Sequence, residues 1–209
     1  MPLALPGPVY RVVTQRLVIR CYNPTDAVLL KTSVDESRDH LRTFLPWAAC
    51  EPEDLQNRID LLRRWRGKFD LGEDFIYGIF NPEETRLLGG TGLHTRLGTD
   101  AREIGYWIHK DFINQGYATE VSAALTKVAF EIDQVRWVEI HVAVENVRSA
   151  AVPRKLGFTL EATLRQRSLL EDGRYHDRLV WTLLGDEYPH SLSAQASIQA
   201  YDAAGRQII

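Results

Sequence analysis

A turn containing one glycine precedes the most regular helical pattern in the chain. The turn is Phe112-Ile113-Asn114-Gln115-Gly116-Tyr117-Ala118-Thr119-Glu120. Gly116 lets the backbone approach a ligand without a Cβ, and the N–H groups of the first helical turn point outward with the positive end of the helix dipole. Such a turn is typical of a phosphate site, although a single glycine turn is also common as an ordinary connection.

The segments around this turn fix its place in a fold. After it, apolar residues recur every three or four positions, which predicts a helix with one buried face. They are Val121, Ala124, Leu125, Val128, Ala129 and Ile132. Strand patterns cover residues 102–109 before the turn and residues 135–144 after the helix. A strand, a helix and a second strand in this order predict two parallel strands with the turn at their edge.

The remaining patterns predict an α/β (α+β mixed) domain with a mixed sheet of about seven strands flanked by helices. Strands are expected at residues 14–20, 74–80 and 87–94, and helices from Ala27 and from Pro52. Asp172-Gly173 is a hairpin signal between closing strands at residues 159–161 and 178–184. We expect one domain over residues 1–188, followed by a mobile or loosely docked tail over residues 189–209.

The composition excludes several classes of protein. The chain has 209 residues and a formal net charge of −3, so it lacks the basic field that binds long nucleic acid. Prolines break the apolar start of the chain, and no segment is long enough to span a bilayer. Cys21 and Cys50 have neither zinc-finger nor disulfide spacing, and we expect no metal. A cytoplasmic protein is expected.

Several ordered segments together resemble one enzyme family. They are T-Q-R-L-V-I-R at residues 14–20, L-R-T-F-L-P-W at 41–47, E-I-G-Y-W-I at 103–108, Q-G-Y-A-T-E at 115–120, N-V-R-S at 146–149, K-L-G-F at 155–158 and E-D-G-R-Y-H-D at 171–177. This order resembles the GCN5-related N-acetyltransferases (GNAT), and within them the ribosomal-protein, Rim-type branch. The resemblance spans residues 14–184, which is nearly the whole chain.

The resemblance implies an enzyme that moves the acetyl group of acetyl-CoA to a primary amine, by direct attack in a ternary complex. The acceptor would be a protein or peptide N-terminal α-amine. A small amine or antibiotic is an alternative acceptor, and a catalytically silent acyl-CoA sensor is an alternative function. An α-amine has a pKa of about 8 against about 10.4 for lysine, which mildly favours an N-terminal acceptor. A homodimer is expected from the resemblance.

The resemblance also assigns the cofactor site. Acetyl-CoA would lie between two splayed parallel strands, with its pyrophosphate on the N–H groups of Asn114, Gln115, Gly116, Tyr117, Ala118 and Thr119. Its pantetheine would pair with Trp107, Ile108 and His109, and would be reached by Asn146 and Ser149. Two residues depart from the family pattern of the turn. Asn114 replaces a glycine but tolerates left-handed backbone, and Asp111 would place a like charge near the phosphates.

Acetyl transfer needs a neutral amine, and therefore a base that takes a proton from the ammonium. Glu103, on the strand before the turn, is the best carboxylate, and His94 and His141 are weaker candidates. A related Rim-type enzyme is thought to use a glutamate in the strand after the Leu-Gly-Phe helix. Ser168 stands at that position here, so this base cannot be transferred to the chain.

The transfer also needs a proton for the departing thiolate and a donor for the oxyanion. Ser149 has the family position for the acid, although it could equally be the N-cap of a short helix. Tyr106 and Tyr117 are alternative acids, and the resemblance implies an oxyanion donor at the backbone N–H near Ile108. The acceptor pocket would be walled by Phe44, Leu45 and Trp47.

Overall fold

The computed structural model describes residues 7–50, 53–170 and 172–209, and within these residues nine strands form one mixed sheet between four helices. The strands are β1 (Arg11–Val13), β2 (Val18–Cys21), β3 (Phe75–Phe80), β4 (Leu87–His94), β5 (Ala101–Ile108), β6 (Trp137–Ala143), β7 (Thr159–Leu169), β8 (Tyr175–Leu184) and β9 (Gln199–Tyr201). The helices are α1 (Ala27–Leu41), α2 (Leu55–Asp70), α3 (Tyr117–Glu131) and α4 (Val147–Leu156). The predicted mixed α/β class is confirmed.

The sheet has the strand order β7-β8-β6-β5-β4-β3-β2-β1-β9. Its neighbouring strands are antiparallel except for β5 and β6, which are parallel and joined through α3. Pairing between β5 and β6 covers only residues 101–103 and 137–139. Both strands continue beyond these residues, so they part and leave an opening in the sheet.

The two pairs of helices cover opposite faces of the sheet. Leu125 of α3 shares a buried cluster with Ile104 of β5, whereas Trp107 packs against a second cluster that includes Leu30 of α1 and Leu62 of α2. Since side chains alternate along a strand, Ile104 and Trp107 lie on opposite faces. The opening between β5 and β6 can therefore be approached from two sides.

Two predictions about the sheet were incomplete. Instead of about seven strands there are nine, because β1 and β9 are three-residue strands too short to give a periodic pattern. The tail from residue 189, expected to be mobile or loosely docked, instead supplies β9, which pairs with β1 from residue 199 to 201. Ala200 in β9 is fully buried.

Some predictions fall outside what can be described. The helix start expected at Pro52 and the side chain of Cys50 lie outside the described residues, whereas Cys21 is buried in the core. Among the described residues, no helix combines the length and the apolar character needed to cross a membrane.

Candidate active site

The turn before α3 has the backbone geometry of an anion site. Asn114 and Gly116 take left-handed φ values of 61° and 83°. Gly116 is the N-cap of α3, and Thr119 lies inside the first turn. The N–H groups of Tyr117, Ala118 and Thr119 precede the first intrahelical hydrogen-bond donors of α3 and are free to bind an anion.

The connection from β1 to β2 braces this helix start. Arg16 donates from Nε to Glu120 Oε2 at 2.8 Å and from Nη1 to the Gln115 carbonyl at 3.0 Å. Thr14 Oγ1 donates to Glu120 Oε1 at 2.6 Å. The guanidinium of Arg16 also lies 4.5 Å from the centroid of the Tyr117 ring. The charge of Glu120, which would repel an anion, is thereby balanced by Arg16.

Asp111, which the sequence placed as a like charge near the phosphates, is also accompanied by cations. Its carboxylate accepts a hydrogen bond from Lys110 Nζ at 2.7 Å and lies 4.0 Å from Arg86 Nη2. The hydrogen bond from Lys110 is the main cause that holds the pKa of Asp111 below its usual value. The turn is therefore not faced by an unopposed negative charge.

A cavity of about 630 Å³ extends from the turn to the end of β5 and the start of α4. This volume lies within the range of ligand pockets, roughly 300–1,000 Å³. The predicted cofactor residues that line it are Trp107, Ile108, Asn114, Gly116, Tyr117, Ala118, Thr119, Asn146 and Ser149. Tyr106 also lines it, as do Phe44 and Leu45 from the loop after α1. The structure thus brings together most of the residues that the sequence singled out.

Tyr106 joins the two sides of the cavity. Its hydroxyl donates to the carbonyl oxygen of Ser149 at 3.0 Å, which links β5 to the first turn of α4. Burial raises the pKa of the Tyr106 phenol well above its usual value. A phenol that is buried and already donating is a weak acid, so Tyr106 is less suited to this role than Ser149, which also lines the cavity.

Asn146 fixes the start of α4. It is the N-cap, and its side-chain oxygen accepts a hydrogen bond from the Ser149 N–H at 3.1 Å. The alternative in which Ser149 caps this helix is therefore wrong. Because the Asn146 oxygen serves the helix, its amide N–H groups are the donors that it can offer to a ligand in the cavity.

Glu103, the predicted base, does not line the cavity. It is buried and accepts hydrogen bonds from Arg96, with Nε at 2.6 Å from Oε2 and Nη2 on the other oxygen. Burial alone would raise the pKa of Glu103, but the hydrogen bonds and charge of Arg96, together with the nearby His141 and His94, outweigh burial and hold the pKa below its usual value. A carboxylate with a lowered pKa is a weaker base than the sequence suggested.

Three further predicted residues also lie outside the cavity lining. The Gln115 side chain donates to the Asp111 carbonyl at 3.1 Å, and His109 is buried with Nε2 at 2.9 Å from Glu36 Oε2. Trp47 instead packs edge-on against Trp107, with 6.2 Å between the ring centroids. Gln115 can therefore contribute through its backbone N–H, whereas the His109 backbone N–H already donates to the Leu88 carbonyl at 2.8 Å. Trp47 lies on the other face of the sheet.

The sequence missed one wall of the cavity. Its lining includes His40, Leu41 and Thr43 at the end of α1, and Arg148 and Lys155 on α4. Burial, with Arg148 as a nearby positive charge, lowers the pKa of His40. The Asn-x-x-Ser spacing placed the first turn of α4 at the site, so Arg148 could have been found. No pattern in the sequence brings the end of α1 opposite α4.

Parallel strands that part beside a helix start with free N–H groups match the cleft that the sequence resemblance implies for an acyl-CoA-dependent acyltransferase. The family described as "Acetyltransferase (GNAT) domain" matches residues 16–159, and the chain belongs to this family. It is an acetyl-CoA N-acetyltransferase of the GNAT type.

Two relatives carry names that refer to the ribosome or to a ribosomal protein. YdaF of Bacillus subtilis (strain 168), provisionally named a ribosomal N-acetyltransferase, is 29% identical over 177 residues, which cover 84% of this chain and 95% of YdaF. The [ribosomal protein uS5]-alanine N-acetyltransferase of Escherichia coli (strain K12) is 25% identical over 181 residues, covering 84% and 91%. The chain is thus related to ribosomal-protein acetyltransferases at modest identity.

Solved structures show the same fold. RimL, a ribosomal L7/L12 α-N-protein acetyltransferase in complex with coenzyme A, superposes with a TM-score of 0.73 at 25% identity, covering 83% of this chain and 97% of RimL. The microcin C7 self-immunity acetyltransferase MccE, in complex with acetyl-CoA and AMP, has a TM-score of 0.75 at 17% identity, covering 82% and 93%. At that identity MccE shows the fold alone.

Proposed function

We propose that the chain transfers the acetyl group of acetyl-CoA to the N-terminal α-amine of a protein or peptide. Binding of acetyl-CoA is supported by the helix start at Gly116, which lines a cavity of about 630 Å³ beside the parted strands. The choice of acceptor is supported by the names of two relatives. One is named for an alanine of ribosomal protein uS5 and the other for α-N acetylation of ribosomal L7/L12.

In this proposal each part of acetyl-CoA has a partner in the cavity. The pyrophosphate lies on the backbone N–H groups of residues 114–119, and the pantetheine pairs with the backbone of Trp107 and Ile108. Asn146 donates from its amide to the pantetheine arm. The amine attacks the thioester carbon directly, the C–S bond breaks, and the departing thiolate takes a proton from the attacking nitrogen through the Ser149 hydroxyl.

Calorimetric titration with acetyl-CoA and CoA tests the cofactor site. Asn146→Ala removes both the cap of α4 and the amide donors, whereas Asn146→Ser keeps a capping oxygen and removes only the amide. We expect saturable binding to the wild type and similar weakening in both variants, with a lower melting temperature mainly in Asn146→Ala. Absence of CoA binding at millimolar ligand would require the cofactor assignment to be withdrawn.

Turnover tests the acceptor. CoA release should depend on peptides with a free N-terminal alanine or serine and should stop when the same peptides are blocked at the α-amine. Turnover of small amines alone would replace the peptide acceptor with a small one. Binding of acetyl-CoA without turnover of any amine would identify a silent acyl-CoA sensor. A cytoplasmic location and a homodimer stay predictions.

A further inference from the structure

A group of ionisable side chains, which we call the recess, lies on the sheet face opposite the cofactor cavity. Tyr106 of β5 faces the cavity, so its neighbour Gly105 and the preceding Glu103 lie on the other face. His94 of β4 and His141 of β6 stand on either side of them, because His94 pairs in register with Glu103 and the His141 ring lies 3.9 Å from the Glu103 carboxylate.

Two glycines form the floor under the His94 ring. Gly92 and Gly105 are paired in register on β4 and β5. A Cβ at Gly92 would lie 2.3 Å from His94 Nε2, which no real contact allows, and a Cβ at Gly105 would lie 3.5 Å from the same atom. Because neither residue has a side chain, the imidazole packs against Gly92, and its Nε2 also lies close to Gly105.

Asp74, just before β3, orients this ring. His94 Nδ1 lies 2.9 Å from Asp74 Oδ1. A carboxylate only accepts hydrogen bonds, so Nδ1 carries the proton in neutral His94 and Nε2 carries the free lone pair. Burial raises the pKa of Asp74, whereas the hydrogen bond from His94 lowers it. The net effect is a pKa below the usual value. Asp74 therefore stays ionised and holds the ring in one orientation.

The other candidate bases around the recess are less suitable. Glu103 is bound by Arg96 through both oxygens. His141 has Nε2 at 2.6 Å from Glu139 Oε2 and Nδ1 at 3.9 Å from Glu103 Oε1, so both of its nitrogens face carboxylates. Among the described groups of the recess, His94 is the histidine with one ring nitrogen, Nε2, that does not face a carboxylate.

The recess lies where β5 and β6 begin to part. Their pairing ends at Glu103 and Glu139, two residues before Gly105 and His141. On the cavity side at this level, Tyr106 binds the Ser149 carbonyl. In the proposed complex, a thioester held between the strands would face the cavity on one side and the recess on the other.

We propose that His94, oriented by Asp74, is the base that deprotonates the acceptor amine, which enters through the recess. This assignment rests on the proposed function. The ammonium gives one proton to Nε2, the neutral nitrogen then forms the amide bond, and the second proton leaves with CoA as its thiol. His94 releases its proton to solvent, so the overall reaction frees one proton per acetyl group.

The pH dependence of kcat/KM tests the assignment directly. His94→Gln should lower kcat/KM by roughly 10²–10⁴-fold. It should also remove the part of the fall in kcat/KM at low pH that is due to His94. Added imidazole should restore part of the lost rate. The affinity for acetyl-CoA should not change, because the cofactor lies on the opposite face. The charged groups facing His94 are Asp74, Glu103, Arg96 and His141, so Asp74→Asn should lower the rate in the same direction.

Two variants separate catalysis from structure. Gly105→Ala adds a methyl group at ordinary contact distance from Nε2, so it should fold normally, bind acetyl-CoA normally and raise KM for the acceptor. His141→Gln, a matched histidine with a carboxylate partner on the same face, should keep the wild-type pH profile.

The outcomes distinguish the two levels of the proposal. If the wild type acetylates N-terminal alanine or serine peptides but His94→Gln keeps both its rate and its pH profile, His94 is not the base and the acetyltransferase proposal stands. If His141→Gln, and not His94→Gln, removes the fall in kcat/KM at low pH, the base is His141. A wild type that acetylates no peptide or small amine overturns the proposed function and the role of His94 together.

Discussion

At the residue scale, Gly116 serves both the backbone and the ligand. Its φ of 83° is left-handed, so an alanine there would be strained by about 1–2 kcal/mol. The strain acts on the turn whose N–H groups are proposed to hold the pyrophosphate. We expect Gly116→Ala to lower the melting temperature and to weaken acetyl-CoA binding, as measured by thermal unfolding and calorimetry.

Gly173 provides the matched control, because it has φ 74° in the turn between β7 and β8, far along the chain from the cofactor cavity. Nothing lies within 4 Å of a Cβ built on Gly173. Gly173→Ala should therefore lose similar stability while binding acetyl-CoA as the wild type does. Equal affinity losses in the two variants would contradict a local role for the Gly116 turn.

Single residues were predictable where local backbone chemistry decides their role. Asn114 was expected to tolerate left-handed backbone, and its φ of 61° confirms this. The strength of Glu103 as a base could not be predicted from the sequence, because it depends on a hydrogen bond from Arg96 in the turn between β4 and β5. Likewise, the tautomer of His94, with the proton on Nδ1 and the lone pair on Nε2, depends on Asp74, which is 20 residues away.

At the element scale, the ion pair between Arg16 and Glu120 joins the β1–β2 connection to the start of α3. Without Arg16, the Glu120 carboxylate would stand uncompensated beside the phosphate site. A charge at a helix start changes binding by about 0.3–1 kcal/mol, or about two- to fivefold in Kd. We expect Arg16→Gln to weaken acetyl-CoA binding by about this factor, and Glu120→Gln to strengthen it slightly or leave it unchanged.

The double variant makes this a test of coupling. Arg16→Gln with Glu120→Gln should bind acetyl-CoA nearly as well as the wild type, because both charges are gone, and salt should affect it less. Calorimetry at low and moderate salt measures both effects. If the double variant binds acetyl-CoA as weakly as Arg16→Gln alone, Arg16 contacts the ligand itself or supports the turn by stacking on Tyr117, and it does not act by balancing Glu120.

Elements with a strong apolar period were predicted best. β4 was expected at residues 87–94 and spans Leu87–His94, and α3 follows the predicted stripe. β7 was expected at residues 159–161 but continues to Leu169. Most of β7 is exposed and its register shifts twice, between Leu160 and Ala162 and between Leu164 and Ser168. An exposed, irregular strand lacks the alternation from which strands are recognised.

At the scale of the whole molecule, the sheet is closed on one side by its last residues. β1 would otherwise be an edge strand with unpaired backbone groups, which favours association with other chains. β9 pairs with β1, and Ile208 and Ile209 pack against the main core. The sequence could not show this, because three residues give no period and their partner lies at the other end of the chain.

Two alanines in the tail test whether this closure stabilises the fold. Ala200 in β9 is fully buried, whereas Ala203 is exposed just beyond it. Ala200→Asp places a charge in the core without a partner and should cost at least about 2 kcal/mol of unfolding free energy. Ala203→Asp makes the same chemical change in solvent and should stay within about 0.5 kcal/mol of the wild type. Urea unfolding of the three proteins gives both values, and equally small losses would show that residues 199–209 are not docked on β1 in solution.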